Sequence, residues 1–201
     1  MGAAQPPPPA GWSRAAKTAA RDQLLAARRA RPATDVTACA EAAAEHLLAA
    51  AEVRRAATVA AYVAVGTEPG TSTLLAALLA MRCRVLLPVL REDDDLDWGV
   101  HSGVGALWPG RRGLLEPTGS LLGVDAVAGA DAVLVPGLAV DTTGLRLGRG
   151  GGSYDRALAR VPEAAFTCVL LYPDEVGRAV PGEEHDRRVR AAASADGITR
   201  F

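Results

Sequence analysis

The sequence has few cysteines, few aromatic residues and almost no lysine. Its 201 residues include three cysteines and 4% aromatic side chains. The cysteines, Cys39, Cys83 and Cys168, form no Cys-x-x-Cys pair, and each lies in an apolar segment. Isolated cysteines in apolar segments are typical of reduced core residues. We therefore expect an intracellular protein, located in the cytoplasm, with its thiols reduced.

The chain also lacks an excess of charge of either sign and an apolar leader. Its formal net charge is −1, which removes any general argument for nucleic acid or an anionic membrane as a partner. Residues 1–11 are proline-rich without an apolar core, so they are predicted to be a disordered tail, not a signal peptide or a membrane span. Residues 12–201 are long enough for a single domain with its own core. We expect a monomer.

Lys17 is the only lysine in a chain that otherwise uses arginine for its cations. It lies in a predicted helix from Ser13 to about Arg31, which Pro32 ends. Arg21 follows four residues later and therefore shares one helix face with Lys17. Two interpretations are open. The pair is a solvated basic face, or it binds an anion, for which the ammonium of lysine is a compact point charge.

The most informative segment is glycine-rich and spans residues 145–156. An apolar strand is predicted before it, at 132–136, and a short helical segment after it. Glycines between a strand and a helix let a ligand approach the backbone closely, and the unpaired N–H groups of a helix start suit phosphate. Arg146, Arg149 and Arg156 add positive charges that can fork onto phosphate oxygens. The segment is therefore a candidate phosphate-binding loop.

Asp155 lies within this basic segment. A carboxylate beside phosphates repels them unless a divalent cation intervenes, and Mg²⁺ commonly joins one carboxylate to phosphate oxygens. The segment therefore indicates a magnesium–nucleotide site. A P-loop is excluded because it needs a lysine where Ser153 stands, and Ser153 also replaces the third glycine of the dinucleotide fingerprint. A flexible turn with solvated arginines is the remaining alternative.

Strands and helices alternate along the rest of the chain, which implies a three-layer α/β domain. Glu68 lies in a turn before a helix that Thr71 is predicted to cap, where open α/β sheets bind ligands. The alternative for Glu68 is an exposed turn glutamate. We expect Trp98 to be packed, His101 to be exposed and Asp141 to orient the loop arginines. The other predicted elements are helices at 35–51 and 71–81 and strands at 58–65, 84–90, 96–101 and 166–172.

Several runs of the sequence resemble a known family. Residues 146–156 read Arg-Leu-Gly-Arg-Gly-Gly-Gly-Ser-Tyr-Asp-Arg, and residues 135–141 read Val-Pro-Gly-Leu-Ala-Val-Asp. Together they resemble the signature of the 5-formyltetrahydrofolate cyclo-ligases, also called 5,10-methenyltetrahydrofolate synthetases. Lys-x-x-x-Arg at 17–21 and Glu-Pro-Gly-Thr at 68–71 resemble two further family elements. The resemblance implies the open three-layer α/β/α sheet that this family shares with ribose-phosphate isomerases and CoA transferases.

The resemblance also implies a reaction and the residues that carry it. The reaction is ATP- and Mg²⁺-dependent closure of 5-formyltetrahydrofolate to 5,10-methenyltetrahydrofolate, with release of ADP and phosphate. By resemblance, Arg149 and Tyr154 are catalytic, and Asp155 and Asp186 hold the metal. ATP binding is assigned to Lys17, Arg21, Arg146, Leu147, Gly148, Arg149, Gly150, Gly151, Gly152, Ser153 and Tyr154. Folate binding is assigned to Val63, Glu68, Arg149, Gly150, Gly151, Gly152 and Ser153.

Three positions depart from the family pattern. Ser153 stands where the family usually has tyrosine, Val140 where it has phenylalanine, and Arg190 where it has aspartate. These departures leave open a folate- or nucleotide-binding protein without turnover. An enzyme of the sugar-phosphate isomerase or CoA-transferase type, which would use a catalytic carboxylate and no ATP, is the other alternative.

Overall fold

The part of the chain that the structure describes contains five α-helices and eleven strands, seven of which form one central sheet. The structure is a computed structural model that describes residues 14–183 and 186–201. The predicted disordered tail, residues 1–11, lies outside the described residues, and the single-domain prediction for 12–201 stays a prediction. The helices are α1 (Arg14–Arg29), α2 (Ala33–Ala49), α3 (Ala51–Arg54), α4 (Ser72–Ala80) and α5 (Ser153–Arg160). The strands are β1 (Thr58–Ala60), β2 (Arg84–Leu90), β3 (Leu96–Val100), β4 (Leu107–Pro109), β5 (Leu115–Pro117), β6 (Ala132–Pro136), β7 (Ala139–Val140), β8 (Arg146–Leu147), β9 (Phe166–Leu170), β10 (Ala191–Ser194) and β11 (Gly197–Arg200).

Seven strands form the central sheet in the order β11-β10-β9-β6-β1-β2-β3. The five inner strands, β10, β9, β6, β1 and β2, run parallel to their neighbours. The edge strands β3 and β11 are antiparallel. Two hairpins, β4–β5 and β7–β8, stand apart from this sheet. The fold is therefore α/β with a mostly parallel sheet, as the sequence predicts.

The side chains of each inner strand alternate between two hydrophobic cores because successive residues of a strand point to opposite faces. On one face, sheet residues such as Val59, Val85 and Leu134 pack against α2 and α4. On the other face, Ala60, Leu86 and their neighbours pack against α5 and a 3₁₀ segment, Val124–Gly129. The sheet thus lies between two helical layers, which confirms the three-layer arrangement.

β1 is shorter than predicted and ends at Ala60 instead of residue 65. The hydroxyl of Thr71 donates to the carbonyl of Tyr62 (2.8 Å) and accepts from the N–H of Ala64 (2.9 Å). These bonds satisfy the backbone groups that a longer strand would pair with its neighbour. Thr71 does precede α4, but its side chain does not cap the helix. The chain beyond Ala60 therefore does not continue as a strand and leads into a turn.

Two other local predictions have different outcomes. Trp98 is buried, as expected, whereas His101, expected to be exposed, is buried as well. Desolvation lowers the pKa of the His101 imidazole. Cys83 and Cys168 are buried, Cys39 is partly buried, and all three are free thiols. None of the helices in the described part of the chain is long and apolar enough to cross a membrane.

A buried ion pair fixes α1 against the carboxyl ends of the sheet strands. Arg28 donates from Nε and Nη2 to the two carboxylate oxygens of Glu175, both at 2.7 Å. Nη2 also donates to the carbonyl of Gly137, just after β6 (2.7 Å). Glu175 accepts the N–H of Tyr172 (3.0 Å). Because Arg28 and Glu175 are both fully buried, the pair determines where α1 lies relative to β6 and β9.

We predict that Arg28→Leu lowers the free energy of unfolding by about 3–5 kcal/mol, because it leaves the Glu175 carboxylate buried without its partner. Urea unfolding measures this loss. The control is Arg200→Leu, which removes a partly exposed pair with Glu52 and is expected to cost at most about 1 kcal/mol. A loss for Arg28→Leu no larger than that of the control would contradict the prediction.

Candidate active site

A cavity of about 350 Å³ opens at the carboxyl ends of β1, β2 and β6. Parallel α/β sheets bind their ligands at this edge. The cavity is bounded by the turn after β1, the glycine-rich loop before α5, and apolar side chains of β2, β3 and the β4–β5 hairpin. Its lining residues are Tyr62, Val63, Val65, Glu68, Pro88, Leu90, Leu96, Arg112, Leu114, Leu115, Pro136, Gly137, Arg146, Gly148, Arg149, Gly150, Gly151, Gly152, Ser153, Tyr154 and Asp155.

The glycine-rich loop needs glycine for both conformation and space. Gly150 and Gly152 have φ values of +104° and +68°, which L side chains rarely adopt. A Cβ on Gly148 would lie 2.7 Å from Nη1 of Arg146, and one on Gly150 would lie 3.3 Å from the guanidinium carbon of Arg21. The loop therefore brings its backbone close to arginine side chains. It leads directly into α5, whose first turn offers unpaired N–H groups.

Lys17 and Arg21 do not line the cavity, but each contacts a segment beside it. Lys17 is 5% exposed, and its Nζ lies 2.7 Å from the Asp186 carboxylate and 3.3 Å from that of Glu183. Arg21 donates from Nε to the carbonyl of Gly148 (2.9 Å). Because Lys17 is buried against acidic groups, the solvated basic face is the wrong interpretation for it. α1 instead places Arg21 against the glycine-rich loop and Lys17 against Asp186.

Arg146 and Asp155, which lie on either side of the loop glycines in sequence, form a second ion pair. Nη2 of Arg146 lies 3.0 Å from Oδ1 of Asp155, and Nη1 donates to the carbonyl of Pro136 (3.0 Å). The same Asp155 oxygen accepts the N–H of Arg187 (3.2 Å). Since Asp186 precedes Arg187, the two carboxylates assigned to metal lie on adjoining segments. Each is ion-paired with a cation, Asp155 with Arg146 and Asp186 with Lys17.

Arg149 and Glu68 form a third pair, which joins the glycine-rich loop to the turn after β1. Nε of Arg149 lies 3.1 Å from Oε1 of Glu68, while Oε2 accepts the N–H of Val65 (3.0 Å). Glu68 is 7% exposed, so it is not an exposed turn glutamate. Burial raises the pKa of the Glu68 carboxyl, against the lowering effects of the Val65 N–H and Arg149. Arg149 itself is half-exposed at the cavity mouth.

Two tyrosines line the cavity between these pairs. Burial raises the pKa of Tyr154, and the charge of Glu68 raises it further, so its phenol is a neutral donor at pH 7. The ring of Tyr154 lies 6.0 Å from the Arg146 guanidinium. Tyr62 and Val63 both line the cavity although they are adjacent in sequence. A regular strand would point them to opposite faces, which is why the strand pattern did not reveal Tyr62.

Other predicted site residues lie elsewhere. The Leu147 side chain is buried beneath the loop, with Leu24 and Leu138. Arg156 does not line the cavity; it donates to the carbonyls of Asp94 and Gly151. The expectation that Asp141 orients the loop arginines is wrong. Its carboxylate instead accepts N–H and O–H groups of the β7–β8 turn.

The sequence-based search also missed part of the cavity wall. Arg112 and four leucines line it, and no motif marks them because their positions depend on how β2, β3 and the β4–β5 hairpin pack. The leucines are Leu90, Leu96, Leu114 and Leu115. The Glu116 carboxylate supports this wall by accepting the N–H of Leu90 (2.9 Å).

Comparison with known proteins points to one family. The model of the 5-formyltetrahydrofolate cyclo-ligase family matches residues 13–194. A 5-formyltetrahydrofolate cyclo-ligase of Mycolicibacterium smegmatis is 44% identical over 134 residues, which is 64% of this chain and 69% of that protein. One from Mus musculus is 31% identical over 96 residues, covering 46% of this chain and 41% of the mouse protein.

Two solved structures share the fold. The NMR structure of Aquifex aeolicus 5,10-methenyltetrahydrofolate synthetase superimposes with a TM-score of 0.79, at 24% identity, over 92% of each chain. A 5,10-methenyltetrahydrofolate synthetase from Mycoplasma pneumoniae gives a TM-score of 0.71 at 18% identity, over 89% of this chain and 98% of that one. At these sequence identities, the structural similarity establishes that the three-layer fold is shared.

We predict that the stability difference between the wild type and Glu68→Gln depends on pH. A raised carboxyl pKa means that the contribution of Glu68 to stability is fully present below its unfolded-state pKa of about 4.3 and is lost as pH rises through the folded-state pKa. Raising the pH from 4 to 7 should therefore lower the free energy of unfolding of the wild type relative to Glu68→Gln. Urea unfolding at both pH values tests this, and a pH-independent difference would contradict it.

Proposed function

Because this chain belongs to the 5-formyltetrahydrofolate cyclo-ligase family, we propose that it catalyses ATP- and Mg²⁺-dependent closure of 5-formyltetrahydrofolate to 5,10-methenyltetrahydrofolate. ADP and phosphate are the other products. One observation carries the proposal beyond family membership. The phosphate-type loop and the Glu68 turn meet in a single cavity, with Arg149 and Glu68 3.1 Å apart. A phosphoryl donor and a pterin bound at these two walls would therefore be in contact.

The proposed chemistry needs no protein nucleophile. The formyl oxygen is a poor leaving group, so it first attacks the γ-phosphorus of ATP, and ADP leaves. N10 of the same folate then attacks the formyl carbon. The bond from that carbon to the phosphorylated oxygen breaks, phosphate departs, and N10 loses its proton as the ring closes. What remains for the protein is positioning and charge neutralisation.

The glycine-rich loop and α1 would supply the phosphate-binding groups. Arg149, the backbone of 150–152 and Tyr154 would hold the transferring phosphoryl group, because they line the cavity beside the start of α5. Lys17, Arg21 and Arg146 would balance the remaining triphosphate charge. In support, Arg21 donates to the loop carbonyl of Gly148, and Arg146 lines the cavity. A neutral Tyr154 phenol can donate to a phosphoryl oxygen.

Asp155 and Asp186 have the oxygen donors that Mg²⁺ prefers. They lie on adjoining segments, joined by the Arg187 N–H to Asp155 contact. No group of three or more metal-ligating side chains occurs among residues 14–183 and 186–201, so a metal held by these two carboxylates would also need phosphate oxygens or water. Asp155 and Asp186 would hold the metal, whose charge would neutralise phosphate charge when it is bound. The donor set therefore fits a metal that arrives with a nucleotide.

The Glu68 turn would hold the pterin. A carboxylate can accept two parallel hydrogen bonds, here from the ring N–H and the amino group of a pterin. Val63 lies at the same wall, and the leucines of β2, β3 and the β4–β5 hairpin provide an apolar surface for the rest of the folate. Binding of this kind requires that Arg149 leave Oε1 of Glu68, which its half-exposed position permits.

We predict that the wild-type chain, mixed with 5-formyltetrahydrofolate, ATP and Mg²⁺, develops the absorbance of the methenyl product. The rise should require both ATP and the metal, so reactions without either one are the controls. Folate binding without product or ADP would contradict the proposal and favour the binding-protein alternative. Turnover of a sugar phosphate without ATP would favour the isomerase alternative.

We predict that Asp155→Asn lowers the rate of ring closure by at least about tenfold, since loss of even an outer-shell partner of a metal ligand typically costs 10- to 100-fold. The apparent Mg²⁺ affinity should fall as well, which a titration of the rate with metal measures. Asp125→Asn is the control, because the Asp125 carboxylate is exposed, pairs with Arg160 and does not line the cavity. Unchanged turnover and metal dependence in Asp155→Asn would remove Asp155 from the metal role.

A further inference from the structure

Tyr62 lines the cavity, and the proposed mechanism leaves its hydroxyl without a role. Tyr62 is 3% exposed and lines the cavity. Its hydroxyl has no hydrogen-bond partner in the part of the chain that the structure describes. Buried polar groups are nearly always paired, because their lost hydration is otherwise uncompensated. An unpaired hydroxyl on a residue that lines a ligand cavity indicates a partner on the ligand.

The position of the Tyr62 ring does not depend on this hydroxyl. The Tyr62 carbonyl accepts the Thr71 hydroxyl at 2.8 Å, and the same Thr71 oxygen accepts the Ala64 N–H at 2.9 Å. The ring itself packs in the hydrophobic core on the α2–α4 side of the sheet. Backbone bonds and apolar packing therefore hold the side chain in place. No hydrogen bond within the described part of the chain occupies the hydroxyl.

The surroundings of Tyr62 keep it a hydrogen-bond donor. Burial raises the pKa of the Tyr62 phenol well above its ordinary value, and the charge of Glu68 raises it further. The phenol therefore keeps its proton across the neutral range. Glu68 lines the same cavity and accepts from Val65 and Arg149. The wall thus combines a carboxylate acceptor with a neighbouring hydroxyl donor.

This combination is complementary to one edge of a pterin ring. That edge carries an amino group and a ring N–H, which donate, followed by a carbonyl oxygen, which accepts. We propose that Tyr62 is a specificity-determining residue whose hydroxyl donates a hydrogen bond to the pterin carbonyl oxygen while Glu68 accepts from the two donors beside it. The inference rests on the proposed function, because it takes a pterin as the ligand of the Glu68 turn.

Two other groups near the cavity are less suited to this role. Nη1 of Arg28 is also buried without a described partner, but Arg28 does not line the cavity. Tyr154 does line it, yet it lies in the first turn of α5, at the phosphate-binding end. Tyr62 is the donor whose backbone adjoins Val63 and the Glu68 turn.

Tyr62→Phe tests the inference because it removes the hydroxyl and keeps the ring. Titration calorimetry without ATP should show 5-formyltetrahydrofolate binding about two- to tenfold more weakly, the equivalent of one neutral hydrogen bond. The KM for folate should rise by a similar factor, with the KM for ATP unchanged. The melting temperature of the free protein should not fall, because no hydrogen bond within the described chain is lost.

Tyr172→Phe is the matched control. The Tyr172 hydroxyl donates to the carbonyl of Thr67 (3.3 Å) and does not line the cavity, so its removal should lower the melting temperature. Unchanged folate affinity in Tyr62→Phe would overturn the inference, as would a fall in melting temperature equal to that of Tyr172→Phe. If the wild type converts the folate fully and Tyr62→Phe binds folate as tightly as the wild type, this inference alone is overturned. A wild type that neither binds nor converts the folate would overturn the proposed function as well.

Discussion

The site depends on charge balance in the absence of a ligand. Several of its charged groups are largely buried, and a buried charge without a partner is strongly destabilising. The protein solves this by pairing the site residues with one another. Three ion pairs do so: Lys17 with Asp186, Arg146 with Asp155, and Arg149 with Glu68. A magnesium–nucleotide carries charges of both signs. In the proposed reaction, its phosphates would replace the carboxylates as partners of the cations, and the metal would replace the cations as the partner of the aspartates. Few charged groups of the site would therefore lose one partner without gaining another when the ligand binds.

This balance requires that α1 be held in place, because Lys17 and Arg21 come from a helix far from the glycine-rich loop in sequence. Arg28 provides the anchor near the other end of α1, through Glu175 and the carbonyl of Gly137. Glu175 also orders the segment after β9, whose Tyr172 hydroxyl reaches the turn that bears Glu68. One buried ion pair therefore supports both α1 beside the glycine-rich loop and the turn that bears Glu68.

Local patterns in the sequence predict the elements whose cause is local. The apolar runs of β2 and β6 and the glycines before α5 are of this kind, and the structure confirms those elements. The predicted end of β1 was wrong because the position of that end depends on the hydroxyl of Thr71, eleven residues after Ala60. β10 was missed because its alanine-rich run, Ala191–Ser194, lacks β-branched residues and is stabilised by burial between β9 and β11. Contacts such as Lys17 with Asp186, 169 residues apart, have no sequence signal of their own without the fold.

The structure also separates the three departures from the family pattern by their distance from the cavity. Arg190 is half-exposed and points to Glu163, while its N–H donates to Thr167. Val140 is buried in the core on the α5 side, so the smaller side chain changes core volume there. Neither residue lines the cavity. Ser153 does line it, at the first residue of α5, and a serine there leaves room that a tyrosine would fill. Of the three departures, the one at Ser153 is therefore the one placed to alter ligand contacts.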